Sequence, residues 1–386
     1  MAEVWPFVPQ RGMTESLEWA TDVLRARGAE QRISLRPTAR QGFQFDLLLD
    51  STQLALAKSL ARFAGATELL VPCWQFISRI GALPTGTTEV AMPTQYAPYR
   101  VGDSVIVWQE YDRYEVCVLT GVASGLLTFS NSPLSQSYDL AFVMPLRPCL
   151  FAQDFEVSRT SHPIVKAQAR FETTEYVSLE GSGAAPSYPV YLGHDVLTDR
   201  TVLLSDVRER YVREAAVFDS ELGRVWSDPA YLYPIQSSTV SWSLDDRASL
   251  WAVRAWLDAR RGRWKGFWMP SWNSDLVLVE GIDAIDSTLR VRDARYRYYE
   301  GERHLMVLRT GNQTPVFLRV TSAEAGIGGT ELLTLSTAVG VAIPLAQVEA
   351  VCFLTFMRFD ADRIEIKHRA AQGANIAVAV TEAPVP

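Results

Sequence analysis

Two stretches of this chain, about 200 residues apart, run through the same series of local signals. Internal repetition of this kind dictates the architecture before any other feature does. Residues 43 to 74 read FQFDLLLDSTQLALAKSLARFAGATELLVPCW, and residues 240 to 272 read VSWSLDDRASLWAVRAWLDARRGRWKGFWMPSW. Each copy opens on alternating apolar residues, Phe43, Phe45 and Leu47 or Val240, Trp242 and Leu244, the period-2 pattern of a half-buried strand. A helix N-cap follows, Asp50 or Ser51 in one copy and Asp245 or Asp246 in the other. The inward stripes of the predicted helices are Leu54, Ala57, Leu60, Ala61 and Ala64, and Leu250, Val253, Trp256 and Leu257. Gly65 and Gly262 are placed to close them in the left-handed conformation. Each copy then enters a short strand ending in Pro-x-Trp, Pro72 with Trp74 and Pro270 with Trp272.

The match resumes downstream, where Gly125-Leu-Leu-Thr-Phe-Ser130 parallels Glu331-Leu-Leu-Thr-Leu-Ser336. The offset between copies drifts along the chain, as loop insertions between retained strands would make it. After each helix come short strands separated by turn chemistry, at Gly102-Asp103 and Ser124-Gly125 in the first copy and at Gly311-Asn312 and Gly326 to Gly329 in the second. The expected fold is mainly β with a few helices, in two homologous β-sandwich or barrel units that each carry one helix. Residues 1–31 are expected to form an N-terminal arm, with a short amphipathic helix over Thr14 to Arg27 that turns Leu17, Val23 and Leu24 inward. Residues 32–173 and 236–386 are the two repeats, and 174–235 is an elaborated connection with a short helix or strand near Val202 to Tyr211.

The 48% hydrophobic and 21% charged residues are those of a folding chain, not of a disordered one. A net charge of −7 argues against direct nucleic-acid binding, because neutralising phosphates takes a basic surface. The opening residues lack a signal-peptide pattern and no stretch has the length of a membrane span, so a soluble protein made in a cytoplasm is expected, without membrane insertion. Cys73, Cys117, Cys149 and Cys352 form no CxxC pair, and four reduced, buried thiols are the simplest reading.

Signals for chemistry are sparse. No GxSxG elbow is present, and His162, His194, His304 and His368 never share helix-face spacing. His194-Asp195 is the sole adjacent acid–base pair, with no nucleophile announced beside it. Asp245-Asp246 and the set Asp360, Asp362 and Glu365 could suggest a glycosidase or a Ca²⁺ site, but a helix cap at Asp246 and a solvated strand face at Asp362 and Glu365 explain them. The GIGG of 326–329 lacks the strand-loop-helix context of a phosphate loop and reads as a hairpin turn. Arg292 to Tyr299 interleaves base and aromatic and reads as a strand with one Arg face. No metal, nucleotide or organic cofactor, and no catalytic residue, is expected.

Six of the 11 tryptophans fall in the second repeat, at positions 242, 251, 256, 264, 268 and 272. Core and interface packing is the main reading, with Trp251, Trp264 and Trp268 as candidate interface residues, and sugar platforms are the alternative.

The sequence Ala259-Arg-Arg-Gly262 followed by Phe267-Trp-Met-Pro270 resembles the distal tail and minor tail proteins of long-tailed bacteriophages. The stretch Trp5-Pro6-Phe7-x-Pro9, then Glu18-Trp19-x-Thr21-Asp22 and Gly28-Ala-Glu-Gln-Arg32, is similar to the same family. The resemblance implies a non-enzymatic virion protein of the tail tip, assembled in the bacterial host cytoplasm. It implies a ring that connects the tail tube protein to the hub and other tail-tip proteins. Relatives with one unit form sixfold rings, so a duplicated chain suggests a trimer with pseudo-sixfold symmetry, with a hexamer as the alternative. Two other classes are a carbohydrate-binding receptor module, which needs a solvent-facing aromatic groove, and a hydrolase on a β scaffold using Asp362 or Glu365.

Overall fold

The computed structural model describes residues 3–10, 12–26, 29–63, 67–152, 155–159, 164–175, 187–204, 207–213, 215–229, 234–298, 303–311, 313–369 and 373–385. The chain is mainly β, with two α-helices among these residues, α1 at Ser51–Phe63 and α2 at Arg247–Arg260. Two compact units result. The first takes in Met1–Pro186, Arg200–Lys265 and Phe359–Val380, and the second Ser187–Asp199, Gly266–Arg358 and Thr381–Pro386.

One continuous run of strands organises the first unit. The strand Met13–Glu18 lies between two antiparallel neighbours, Arg40–Leu49 on one side and Arg363–Arg369 on the other, with Glu15 opposite both Phe43 and Ile366. Beyond Arg40–Leu49 comes Val165–Thr173, with Phe171 opposite Phe43, and then the long strand Tyr138–Phe151. Beyond Arg363–Arg369 come Gly373–Glu382, Ile235–Leu244 and, last, Arg208–Val212. The alternation of Phe43, Phe45 and Leu47 puts these side chains on one buried face, beneath Leu54, Ala57 and Leu60 of α1.

Both helices start as the sequence predicts. Asp50 accepts from the backbone N–H of Thr52 and Gln53 at 2.8 Å, while Gln53 returns a bond to the Asp50 N–H, completing a capping box. Asp246 accepts from the Ser249 N–H at 2.7 Å and caps α2. The end of α2 comes one residue earlier than expected, since Arg261 is its left-handed C-cap at φ 52°, with Gly262 following at φ 61°. Gly65 lies outside the described residues.

The second unit is built on Val348–Phe359, which pairs with Phe267–Pro270 on one side and Arg303–Arg309 on the other. Two strand pairings follow the two helical segments. Leu69–Pro72 pairs antiparallel with Tyr138–Phe151, with Pro72 opposite Leu146, and Phe267–Pro270 pairs antiparallel with Val348–Phe359, with Pro270 opposite Leu354. The buried triplet Val105, Ile106 and Val107 pairs with the first long strand as Leu305, Met306 and Val307 pair with the second.

Several expectations are corrected. The two expected segments are not the compact units, because Ile235–Leu244 and α2 belong to the first compact unit along with α1, although each segment, 32–173 and 236–386, does carry one α-helix among the described residues. The pairing of Arg363–Arg369 with Met13–Glu18 and the contact of Arg254 on α2 with Glu15 cross the sequence boundary at 236. Over Thr14 to Ala26 the chain is not a helix, Arg27 lying outside the described residues. It forms the strands Met13–Glu18 and Thr21–Ala26, because Met13, Glu15 and Leu17 are buried at period 2 between two neighbouring strands. Leu24 is exposed. In the connection, a 3₁₀ turn at Arg200–Leu204 precedes the strand Arg208–Val212. The GIGG segment is the expected turn, between Val316–Ala325 and Thr330–Leu335, with Gly328 and Gly329 at φ 73° and 75°.

Candidate functional site

The most concentrated charge in the first unit is buried. Glu15 projects inward from Met13–Glu18, and Arg254 of α2 donates one nitrogen to both its oxygens, at 2.7 and 2.6 Å. His368 Nε2 lies 2.9 Å from the same carboxylate, and Gln41 donates to it at 2.5 Å. Burial alone would push the Glu15 carboxyl up; Arg254 and His368 overcome it and hold the group down at about 2. The rest of the Arg254 guanidinium faces aromatic rings, 5.6 Å from the Phe76 centroid and 6.0 Å from Trp251. All ligand positions of Glu15 are filled, which marks the cluster as a structural lock.

Two further carboxylates organise turns. Asp362 accepts from the Thr21 N–H and hydroxyl at 2.9 Å, and from the Arg263 N–H at 2.9 Å and its guanidinium. Burial opposes its ionisation, but these bonds keep its carboxyl below the usual carboxylate range. This contradicts the solvated-face reading of Asp362. Glu365 does lie outward, beside Arg363 at 3.7 Å. In the second unit, the fully buried Glu331 accepts from the backbone N–H groups of Ala294, Tyr296 and Arg297. Arg297 adds a charged bond at 2.7 Å. The Arg292 to Tyr299 segment is therefore not a strand: Thr288–Arg292 ends there and the chain winds into a 3₁₀ turn at Tyr296–Tyr298 around that carboxylate. Tyr299 lies outside the described residues.

The tryptophans divide differently from expectation. Trp251 is buried in the first unit's core against Phe76, and Trp268 is fully buried in the second, donating to the Tyr191 carbonyl at 2.9 Å. Neither can serve an interface, because α2 is apolar over more of its circumference than the i, i+3, i+4 stripe covers, and Phe267–Pro270 is buried on both faces. Trp264 alone of the three is partly open, flanked by Arg261 and Lys265. After Pro72 and Pro270 the paths diverge: Trp74 opens a buried 3₁₀ turn, whereas Trp272 is half-buried at φ 60°.

His194 and Asp195 sit in a two-residue strand pair with Val190–Tyr191, where His194 packs edge-on against Phe356 at 4.8 Å. His162 lies outside the described residues. The four cysteines are free and buried, and burial pushes Cys73, Cys117 and Cys352 up to about 12. Among the described residues no three His, Cys, Asp or Glu side chains gather as a metal site requires, and no helix is long and apolar enough to cross a membrane.

One feature of the surface was not foreseen. Ala215–Phe218 and Trp226–Pro229 form an isolated two-stranded hairpin, with Phe218 opposite Trp226 and their rings stacked at 5.7 Å. Val217, Phe218, Leu222, Val225 and Trp226 are each between 57% and 95% exposed. The turn is set by Asp219, which accepts from the Glu221 N–H at 2.8 Å, with Glu221 at φ 58°. Asp219-Ser-Glu-Leu-Gly223 between two apolar pairs is a turn signal that a closer reading of the connection would have found. A separate cleft of about 300 Å³ is lined by Phe7, Leu49, Trp108, Tyr111, Gln53 and Glu110. No family model matches this chain, and no curated protein matches it.

Proposed function

We propose that this chain is a structural, self-assembling protein of a bacteriophage tail tip, built from a duplicated strand-helix-strand unit. In this reading it forms the ring between the tail tube and the hub and receptor-binding parts, as a pseudo-sixfold trimer or as a hexamer. The observation that carries it is the exposed apolar hairpin. With about 150–250 Å² per aromatic side chain, Phe218 and Trp226 leave on the order of 250 Å² in solvent. Val217, Leu222 and Val225 are exposed as well, on the other face and the turn of the ribbon, and exposed apolar surface of this kind is commonly a binding surface. An isolated two-stranded ribbon is also marginal in water, so it needs a cover. The charged clusters of the interior support the same reading, since Glu15, Asp362 and Glu331 spend their oxygens on structure. The likeness of the Ala259-Arg-Arg-Gly262 and Phe267-Trp-Met-Pro270 segments to tail proteins supports this location. Mass spectrometry and antibody labelling of purified particles test it: the protein is expected at the tail tip, in three or six copies, and its absence from the tail overturns the reading.

A second reading, a carbohydrate-binding receptor module, is favoured by the cleft of Phe7, Trp108 and Tyr111, whose aromatic walls meet the amide of Gln53 and the carboxylate of Glu110. Glycan-array binding that Trp108→Ala abolishes would support it.

A further inference from the structure

We propose that the cleft of Phe7, Trp108 and Tyr111 binds an amino sugar, a single pyranose ring that carries a protonated amine. This rests on the carbohydrate reading above and names the class of sugar. The floor of the cleft is apolar, with Phe7 and Leu49 buried in it and Val8 and Leu48 exposed at its rim. Its volume of about 300 Å³ is at the lower end for ligand sites, which suits one ring and not a chain of them. Trp108 is half-buried and fixed in place. Its Nε1 donates to the Pro6 carbonyl at 3.2 Å, and its ring packs edge-on against Trp74 at 5.4 Å. With its one polar atom spent, the indole offers the cleft only aromatic surface, which the C–H face of a pyranose can cover.

Three polar groups at the cleft are unspent, and they fix what the ring must carry. Glu110, two positions from Trp108 on the same strand, is exposed, and its carboxylate makes no hydrogen bond or ion pair among the described residues. Tyr111 likewise keeps its hydroxyl for a ligand. Gln53 has its Oε1 engaged by the Asp50 N–H at 3.2 Å, so its Nε2 is the end left to donate. No Lys, Arg or His lines the cleft to offset the Glu110 charge. A carboxylate only accepts, and an ammonium answers it with donors and opposite charge. The aromatic rings beside it favour a cation as well. Hydroxyls of the same ring meet Gln53 Nε2 and the Tyr111 hydroxyl. An acidic sugar would set a second negative charge beside Glu110, and an N-acetylated one would lose the positive charge.

Titration of the full-length protein with four methyl glycosides, read by ligand-observed NMR, tests this: the glucosaminide, its N-acetyl derivative, the glucoside and the glucuronide. The glucosaminide should bind about threefold tighter than the glucoside, the scale of an exposed ion pair, and the glucuronide weakest of all. Glu110→Gln should erase this ranking without moving the melting curve, since the side chain is exposed. Trp108→Ala should abolish binding of all four. Because Trp108 also packs against Trp74, Tyr111→Ala is the second variant, and it should weaken all four if the first fails to fold. Equal binding of glucosaminide and glucoside, or a ranking that Glu110→Gln leaves unchanged, overturns the amino-sugar assignment and leaves the carbohydrate reading standing. No binding by any of the four overturns the assignment too, and the glycan array then decides the carbohydrate reading by itself.

Discussion

Glu15 and Arg254, 239 positions apart in sequence, meet at 2.6 Å with both side chains excluded from solvent. The contact ties the first inward-pointing carboxylate of the chain to the middle of α2, and His368 adds a third segment to the same oxygen at 2.9 Å. Met13–Glu18 is thereby fixed between Arg40–Leu49 and Arg363–Arg369. A buried ion pair of this kind adds little over an apolar core, but removing one member leaves the other charged and unsolvated.

Glu15→Ala should therefore destabilise the first unit by about 3–5 kcal/mol. Its pH dependence has a defined sign. The folded-state carboxyl lies at about 2 against 4.5 unperturbed, so its ionised form contributes stability that is full above 4.5 and is lost as pH falls toward 2. Denaturant midpoints of wild type and Glu15→Gln, measured down through that window, should converge, and a gap that stays constant contradicts the assignment.

How much of this was legible beforehand follows from the range of each interaction. The caps Asp50 and Asp246 were readable because a cap bonds within three residues. The stripe through Leu250, Val253, Trp256 and Leu257 was readable because it follows helix periodicity. Glu15 and Glu331 were not, since their partners come from hundreds or dozens of positions away and a carboxylate carries no mark of what will surround it. Met13–Glu18 was misread for the same reason: its alternation is short, and the two strands that select it lie far along the chain. The compact units were missed because the sheet runs from Ile235–Leu244 through Gly373–Glu382 and Arg363–Arg369 to Met13–Glu18 at the other end of the chain.

Gly262 is expected to resist substitution. Its φ is 61°, and an added Cβ would meet the Asp362 carboxylate, which must come close to bond Arg263 and Thr21. Gly262→Ala combines backbone strain with displacement of that carboxylate, and a loss of roughly 1–3 kcal/mol is expected. In Asp362→Ala the steric part should shrink, so a double-mutant cycle of the two should be clearly non-additive.

The cysteines give a test of burial that needs no mutation. A thiolate is the reactive form, and burial holds Cys73, Cys117 and Cys352 near 12, with Cys149 also well above its ordinary value. A disulfide-exchange reagent at about pH 8 should leave all four untouched in the folded protein and count four on unfolding. Rapid reaction of any one under native conditions would show that its segment opens locally.

The tryptophans of the α2 region should separate by burial, not by sequence position. Trp256 lies on the inward stripe, fully buried with Arg260 stacked over its ring at 4.5 Å, so Trp256→Ala removes a large side chain and leaves a cavity costing roughly 3–5 kcal/mol. Trp251 is the more telling position, because its place in the sequence reads as outward while its ring lies in the first unit's core, 6.4 Å from Phe76 and within cation–π reach of Arg254. Trp251→Ala should cost a comparable amount, and it should also loosen the guanidinium that holds Glu15. Trp264 is partly open, with Arg261 and Lys265 over its ring at 5.2 and 4.8 Å, so Trp264→Ala should fall within about 1 kcal/mol of wild type. Chemical denaturation of the three variants decides the matter: a Trp251→Ala protein as stable as Trp264→Ala would mean that the α2 face is turned outward, and the Glu15–Arg254 contact would then have to be abandoned with it.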